Sequence, residues 1–467
     1  MARYVKTEQG YIDASIFAPA PFKPAGKSYL TFSSPNSFTL KVNDATKHWN
    51  GTLEYFASDK TWTVWDGTIT LSSVNNDGEY VLYLRGTGNT VITGNSENYR
   101  WVLTGSDIKC IGNIENLLDY ATVASGEHPA MANNCYSYMF KGCTALTQAP
   151  SLPATTLASY CYYCMFQGCT SLTQAPVLPA TTMASNCYNS MFYDCTALTQ
   201  APELPATTLG ITCYYCMFSG CTALTQAPAL PATTLAEYCY SRMFYGCTAL
   251  TQAPELPATT MASNCYNIMF YGCTALTQAP ALPATTLARQ CYQSMFRNCT
   301  SLTQAPALPA MTLAESCYVA MFYNCTNLIQ APVLPATTLA SSCYVDMFSG
   351  CTSLKLSSTQ TGEYTQEYRI PSFGEGVTAT NALKNMFTST GGTFTGTPEI
   401  NTTYYLSSDN MIVRETEVAT LNGYVGSMID KYADTAEYIV PSSTQGSTKK
   451  FKITVDDSGT LTATEVV

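Results

Sequence analysis

The chain has 467 residues, of which 46% are hydrophobic and only 12% are charged, and its formal net charge is −10. Proteins that bind nucleic acid or anionic membranes need a basic stripe, and the acidic balance argues against both partners. No run of about 18 apolar residues occurs, so we expect no membrane insertion. The segment Met1–Tyr11 lacks an apolar stretch, so we expect no secretory signal peptide.

The first part of the chain predicts a β-rich domain. Residues 1–27 are interpreted as an N-terminal arm or linker, because Ala18–Pro24 is rich in proline. Residues 28–112 hold seven β-branched or aromatic segments separated by Asn-Gly, Asp-Gly and Gly-Asn turns, which predict an all-β, sandwich-like domain. All four tryptophans lie there. We expect them to pack in the core, and an exposed carbohydrate platform is the alternative.

A repeat occupies the middle of the chain. A Cys-Tyr pair recurs every 26 residues, nine times from Cys135 to Cys343. A fixed period of this size is typical of a solenoid, in which neighbouring units stack to form one core. We therefore predict a solenoid over residues 135–354, with residues 113–134 as its N-terminal cap.

Each unit divides into two patterns. In the second copy, apolar positions have the spacing of one face of an α-helix; they are Ala158, Cys161, Tyr162, Met165, Phe166 and Cys169. Thr156 is a candidate N-cap. Gly168 is a candidate left-handed end of the helix, since Asp194, Asn298 and Asn324 replace it in other copies.

The remaining half of the unit, Leu146–Pro153, predicts a short strand that Pro150 and Pro153 end. Gln148 and its equivalents form one column, which predicts amides bonded from unit to unit, or alternatively a polar binding strip.

The expected fold class is a curved α/β solenoid of about nine 26-residue units. Strands in a parallel sheet lie about 4.8 Å apart, whereas packed helices need about 8–10 Å. That mismatch predicts a curve with strands inside and helices outside.

The C-terminal part predicts further β-structure. Residues 355–425 are interpreted as a cap, in which Ala382–Phe387 is a degenerate last unit without cysteines. Residues 426–467 predict a β-hairpin tail, because Lys449–Glu465 alternates around an Asp-Ser-Gly turn. A stable hairpin needs a third strand or a partner surface.

The repeat resembles a known family. The pattern Leu-x-x-Ala-x-x-Leu-Pro followed by Met-Phe-x-Gly-Cys-Thr-x-Leu is similar to the BspA-like leucine-rich repeats, as found in gut bacterial surface proteins and phage virion proteins. The resemblance covers about half of the chain. It implies adhesion at a cell surface or on a virion, and no catalysis.

The 21 cysteines are expected to be reduced core thiols. Equivalent cysteines in adjacent units would lie about one helix diameter apart, and a disulfide needs Cα atoms within about 7 Å. A buried free cysteine behaves as a small hydrophobic residue.

No catalytic arrangement is predicted. The two histidines, His48 and His128, lie outside the repeats, and the acids Glu203 and Glu255 stand two units apart. We therefore expect no enzyme activity, no cofactor and no metal.

The variable positions of the repeat suggest a recognition surface. Positions 159, 160, 163 and 167 of the second copy would line the outer face of the predicted helix. Tyrosine mixed with serine and asparagine is typical of adaptable binding surfaces, although exposed positions also tolerate change without function. The candidate ligand-binding residues are Tyr160, Tyr163, Tyr193, Tyr215, Tyr238, Tyr245, Tyr271 and Tyr323.

These observations lead to one functional hypothesis with an alternative. The first is a non-enzymatic fibre or decoration protein of a phage virion, made in the host cytoplasm, which adheres to a bacterial surface glycan or protein. Its β-rich ends would contact other virion proteins or form a homo-oligomer such as a trimer. The alternative is an adhesin on the bacterial cell surface.

Overall fold

The structure is a computed structural model that describes residues 4–7, 10–13, 22–413, 438–441, 450–455 and 461–466. The chain forms two compact units, residues 1–413 and residues 414–467. The tight turn predicted at Asp456–Gly459 lies outside the described residues.

The N-terminal part consists of β-strands in two main sheets. The strands are β1 (Tyr4–Thr7), β2 (Gly10–Asp13), β3 (Leu30–Ser34), β4 (Thr39–Val42), β5 (Thr52–Phe56), β6 (Trp62–Trp65), β7 (Leu71–Ser72), β8 (Val74–Asn76), β9 (Glu79–Thr87), β10 (Trp101–Thr104) and β11 (Ile108–Ile111). One sheet has the order β11-β3-β9-β5-β6 with β8 also on β9, and the other has the order β10-β4-β7. A 3-10 turn, Glu97–Tyr99, precedes β10. Strands β1 and β2 pair with each other. The sequence did not predict β8 and β11, nor β1 and β2, which lie in the segment interpreted as an arm or linker.

The tryptophans pack inside this part. Trp49, Trp65 and Trp101 are at most 3% exposed. Trp62 is partly buried, and the guanidinium of Arg85 lies 4.2 Å from the centre of its ring. The core interpretation is therefore confirmed for three of the four, and those three cannot form an exposed platform.

The β-sheets and the repeats share one hydrophobic core. Helix α1 (Asn116–Ala124) connects them, and β12 (Leu146–Gln148) of the first unit pairs in parallel with β11. Most buried hydrophobic residues form one cluster from Leu30 to Leu406, and five others in the β-rich part form a second, smaller cluster. The first repeat therefore stacks on a sheet edge rather than on solvent.

The repeats contain no α-helix at the predicted position. Every fourth residue is left-handed: Tyr160, Cys164 and Gly168 have φ of 60°, 52° and 72°. The amide of Tyr162 donates to the carbonyl of Cys187 in the next unit at 3.0 Å, whereas the amide of Tyr163 donates to Tyr160 at 3.2 Å. An α-helix would instead use carbonyls four residues back in the same unit. The helix prediction is therefore wrong. We call this structure, residues 158–169 and their equivalents, the turn ladder.

The reason for the error is the similarity of two periods. An α-helix has 3.6 residues per turn, and the turn ladder has a left-handed residue every four. Over twelve residues, a helix and the turn ladder therefore direct the same side chains into the core. Cys161, Tyr162, Met165, Phe166 and Cys169 are accordingly all buried.

The left-handed conformation predicted at Gly168, Asp194, Asn298 and Asn324 is confirmed. There it is part of the ladder and does not end a helix. Thr156, the predicted N-cap, is exposed and starts no helix.

Adjacent units lie closer together than helices can. Stacked phenylalanine rings of the Phe166 column have centroids 5.5–5.8 Å apart, for example Phe166 and Phe192 at 5.6 Å. Packed helices need about 8–10 Å. The cause of the predicted curvature, a wide helical layer outside a narrow strand layer, is therefore absent.

The other half of the unit forms minimal strands. Apart from β12 and β13 (Gln330–Pro332), the units pair in parallel through isolated bridges such as Gln174 with Gln200 and Thr182 with Thr208. Within residues 22–413, no hydrogen bond joins the side-chain amides of neighbouring column glutamines. The column is paired through its backbone, not through the predicted amide ladder.

The turn ladder continues beyond the last cysteine. The amide of Tyr344 donates to the carbonyl of Ala382 at 2.9 Å, and Asn381, Asn385 and Ser389 are left-handed like their counterparts in the units. Around it lie β14 (Lys355–Ser357), β15 (Tyr364–Arg369), β16 (Gly391–Gly392), β17 (Thr403–Ser407) and β18 (Met411–Val413). Their sheet has the order β15-β17-β14-β16, and β18 pairs with β13.

The second compact unit contains β19 (Tyr438–Pro441), β20 (Lys450–Val455) and β21 (Leu461–Val466). They form an antiparallel sheet of order β19-β20-β21. The hairpin thus has a third strand in its own sequence.

All 21 cysteines are buried and free. The predicted reason, a helix diameter between units, is wrong because the units are closer than that. The thiols of the Cys169 column instead act as donors: Cys195 Sγ lies 3.1 Å from the carbonyl oxygen of Phe166 in the preceding unit. Burial raises the pKa of Cys195 to about 12. These thiols therefore form part of the ladder.

Replacing Ile268 by asparagine should stabilise the protein. Ile268 is left-handed, with φ of 59°, a conformation that costs a β-branched residue about 1–2 kcal/mol and asparagine less. We expect I268N to raise the free energy of unfolding by about 1 kcal/mol, measured from the midpoint of denaturant unfolding. The matched control is I211N at the 52% exposed Ile211, which has no positive φ. Equal effects of both substitutions would contradict the turn ladder.

The thiols should be unreactive until the protein unfolds at high pH. Burial raises the pKa of Cys195 and Cys247 to about 12, from an ordinary value of 9.0. Stability from these groups is complete below pH 9 and is lost as the pH rises from 9 towards 12. We expect no labelling by a thiol reagent at pH 8 and labelling of all 21 cysteines in denaturant. Labelling of several thiols in the native protein would show that the ladder opens.

Candidate binding surface

The turn ladder determines where the eight candidate tyrosines lie. They occupy three columns, equivalent to positions 160, 163 and 167 of the second unit. Together with position 164 we call these columns the tyrosine face. Because a backbone hydrogen bond joins each of these positions to a neighbouring unit, side chains of one column follow one another at the spacing of the ladder. The structure arranges the tyrosines in three groups along this face.

The first group lies near the β-sheets. Tyr160 and Tyr163 meet edge to face with ring centroids 5.6 Å apart, and Tyr163 meets Tyr138 in the same way at 5.2 Å. The ammonium of Lys141 lies 5.4 Å from the ring of Tyr138 and pairs with Glu97. Burial is the main cause that raises the pKa of Tyr163. The rings of this group are therefore closely packed, and the charge of Lys141 is neutralised by Glu97.

The second group is more open. Tyr215 and Tyr238 are 6.5 Å apart between ring centroids. The carboxylate of Asp194, and then burial, raise the pKa of Tyr193, while the guanidinium of Arg242 opposes the shift. Burial likewise raises the pKa of Tyr215. The group therefore combines phenols with one cation and one anion.

The third group is a continuous strip in four successive units, which we call the arginine strip: Tyr245, Tyr271, Arg297 and Tyr323. The rings of Tyr245 and Tyr271 are stacked at 4.8 Å with 19° between their planes. The guanidinium carbon of Arg297 lies 4.1 Å from the centre of the Tyr323 ring and 5.7 Å from that of Tyr271. The cation is thus held between two aromatic rings.

Sequence reasoning missed three residues of this face. Tyr138, Arg242 and Arg297 lie beside the candidate tyrosines but were not selected. Tyr138 and Arg242 share the column of Cys164, and Arg297 shares the column of Tyr245. The repeat period alone places them on the face. Only the contacts show that Arg297 is inserted between two tyrosines.

Both histidines are paired with a carboxylate outside the repeats. His48 Nε2 lies 2.8 Å from Asp44, and its ring stacks on Tyr99 at 3.6 Å. His128 pairs at 2.8 Å with the buried carboxylate of Glu115. In the described parts of the chain, no three His, Cys, Asp or Glu side chains group as metal ligands. No helix there is long and apolar enough to span a bilayer.

Comparison with known proteins identifies the repeats. The family model of the BspA type leucine rich repeat region matches six copies, over residues 133–277 and 217–355. The chain has no significant match among the curated proteins or among the solved structures. Residues 133–355 therefore consist of repeats of the BspA type leucine rich repeat family.

Proposed function

We propose that this chain is a non-enzymatic recognition protein that binds a glycan or protein of a bacterial surface through its tyrosine face. Repeats of this family suggest surface adhesion or protein binding, and the family is generally non-enzymatic. The observation that carries the proposal is the arrangement of the eight tyrosines with two arginines on one bonded ladder.

The ladder favours binding because it fixes these side chains in advance. Tyrosine offers a large amphipathic contact with few rotatable bonds. Each backbone position of the face is bonded to a neighbouring unit, as the amide of Tyr160 is to the carbonyl of Ser185 at 3.1 Å. Ordering side chains at an interface costs about 0.5–1.5 kcal/mol each. A ligand that meets rings already packed against each other avoids part of that cost.

The proposal also includes the particle on which the protein is displayed. We propose that it is a fibre or decoration protein of a phage virion. The 21 free buried thiols support synthesis in a reducing cytoplasm. The terminal β-regions would contact other virion proteins or form a trimer. The alternative is a bacterial surface adhesin. Mass spectrometry of purified virions and of washed cell envelopes tests the two, since the protein should be found in only one.

Removing the tyrosines of one column should abolish binding. We expect the fourfold variant Y193S, Y245S, Y271S and Y323S to lose binding to intact bacterial cells, because the column would lose its aromatic contact area. The measurement uses labelled protein on a panel of gut bacterial strains, each with and without its capsule.

The matched control replaces four exposed glutamines of the other half of the unit, Gln174, Gln226, Gln278 and Gln304, by serine. This variant should bind like the original protein. Loss of binding in the glutamine variant alone would move the site to the glutamine column and contradict the proposal. Thermal unfolding of both variants checks that the fold is intact.

A further inference from the structure

We propose that the arginine strip is a binding site for an acidic polysaccharide, in which Arg297 binds a sugar carboxylate. This inference rests on the proposed function and adds the chemical class of the ligand.

The first support is the position of the Arg297 guanidinium between two aromatic rings. Arg297 is partly buried between Tyr271 and Tyr323, and its Nε is shielded from solvent and has no hydrogen-bond partner within residues 22–413. Stacking on aromatic rings orients a guanidinium and leaves its edge free to donate. The two terminal Nη nitrogens form the edge that can meet a carboxylate with two parallel hydrogen bonds.

The second support is charge. Of the four basic residues of the repeats, Lys141 pairs with Glu97 and Arg289 lies 3.5 Å from Glu315. Arg242 and Arg297 have no carboxylate partner among the described residues, and of these two only Arg297 lies against two aromatic rings. A partly buried cation without a counter-ion is an unfavourable arrangement that an anionic ligand would relieve.

The third support is the shape and polarity of the strip. In its column the strip is flanked on either side by a small, buried residue, Ser219 and Ser349, so the four larger side chains form a short raised row. Tyr245, 36% exposed, is the one exposed large hydrophobic residue of the row. Peptide-binding sites are usually grooves or pockets that take apolar side chains. Phenol hydroxyls and ring edges in a regular row suit a polar, repeating polymer instead.

The binding test compares polysaccharides that differ only in charge. Polygalacturonate, alginate, hyaluronate and polysialic acid are each measured beside their carboxyl-reduced forms by calorimetry at low salt. We expect at least one acidic polymer to bind, its reduced form to bind about tenfold more weakly or not at all, and added salt to weaken binding. Poly-glutamate is included as an acidic peptide. Binding of poly-glutamate with no acidic polysaccharide would overturn the assignment, and so would failure of all four polymers.

Three arginine variants identify the residue. R297Q removes the charge and keeps a planar amide, and we expect affinity for the acidic polymer to fall about tenfold or more, as for other hydrogen bonds to a charged group. R297K keeps the positive charge but lacks the paired donors of the guanidinium, so its affinity for the acidic polymer should lie between those of R297Q and the original protein. R289Q removes the exposed arginine that is paired with Glu315, and it should bind normally. Equal losses in R297Q and R289Q would show a general charge effect and overturn the site.

The two levels of the proposal can fail separately. If R297Q binds cells and acidic polymers like the original protein while the fourfold tyrosine variant does not, the tyrosine face is the site and the carboxylate assignment is wrong. If both variants bind normally, the proposed function itself is wrong.

Discussion

The backbone hydrogen bonds between units are the interaction on which the rest of the structure depends. In each junction, five amides of one turn ladder donate to five carbonyls of the next, as from Tyr160, Tyr162, Cys164, Phe166 and Gly168. The amides between them point back within the unit and close tight turns. Three residues per unit must be left-handed for this alternation. That conformation costs about 1–2 kcal/mol for most residues, and hydrogen bonds that contribute about 1 kcal/mol each offset it.

The short distance between units determines the composition of the core. With stacked rings 5.5–6.0 Å apart, identical side chains follow one another in columns, and a flat ring or a thiol fits such a column. Tyr162 and Phe166 stack on their equivalents nearly in parallel. Cysteine at position 169 has a second role, because its thiol donates to a carbonyl of the preceding unit. A disulfide would remove that donor, which is consistent with 21 free thiols.

The same distance produces the tyrosine face. Residues 26 apart become neighbours, so substitution in a single unit changes one position of a row and leaves the ladder intact. Arg297 between Tyr271 and Tyr323 shows the result, since a cation is held by aromatic rings from two other units. A surface built this way can vary in chemistry while its spacing stays fixed. Such a scaffold is well suited to recognition and requires no mobile loop.

The sequence is sufficient to predict the repeat with its buried columns, most strands of the β-rich part, and the left-handed residues at Gly168 and its equivalents. Those features depend on periodicity and on residue types with strong local preferences, such as Gly168 and the alternating segments around Leu30 and Leu82. The conformation of the ladder, by contrast, depends on contacts between units. Thr212 and Ile268 have no local tendency to be left-handed, yet both are, with φ of 54° and 59°. Their conformation is imposed by bonds to the neighbouring units, and that long-range constraint also placed Arg297 between its two tyrosines.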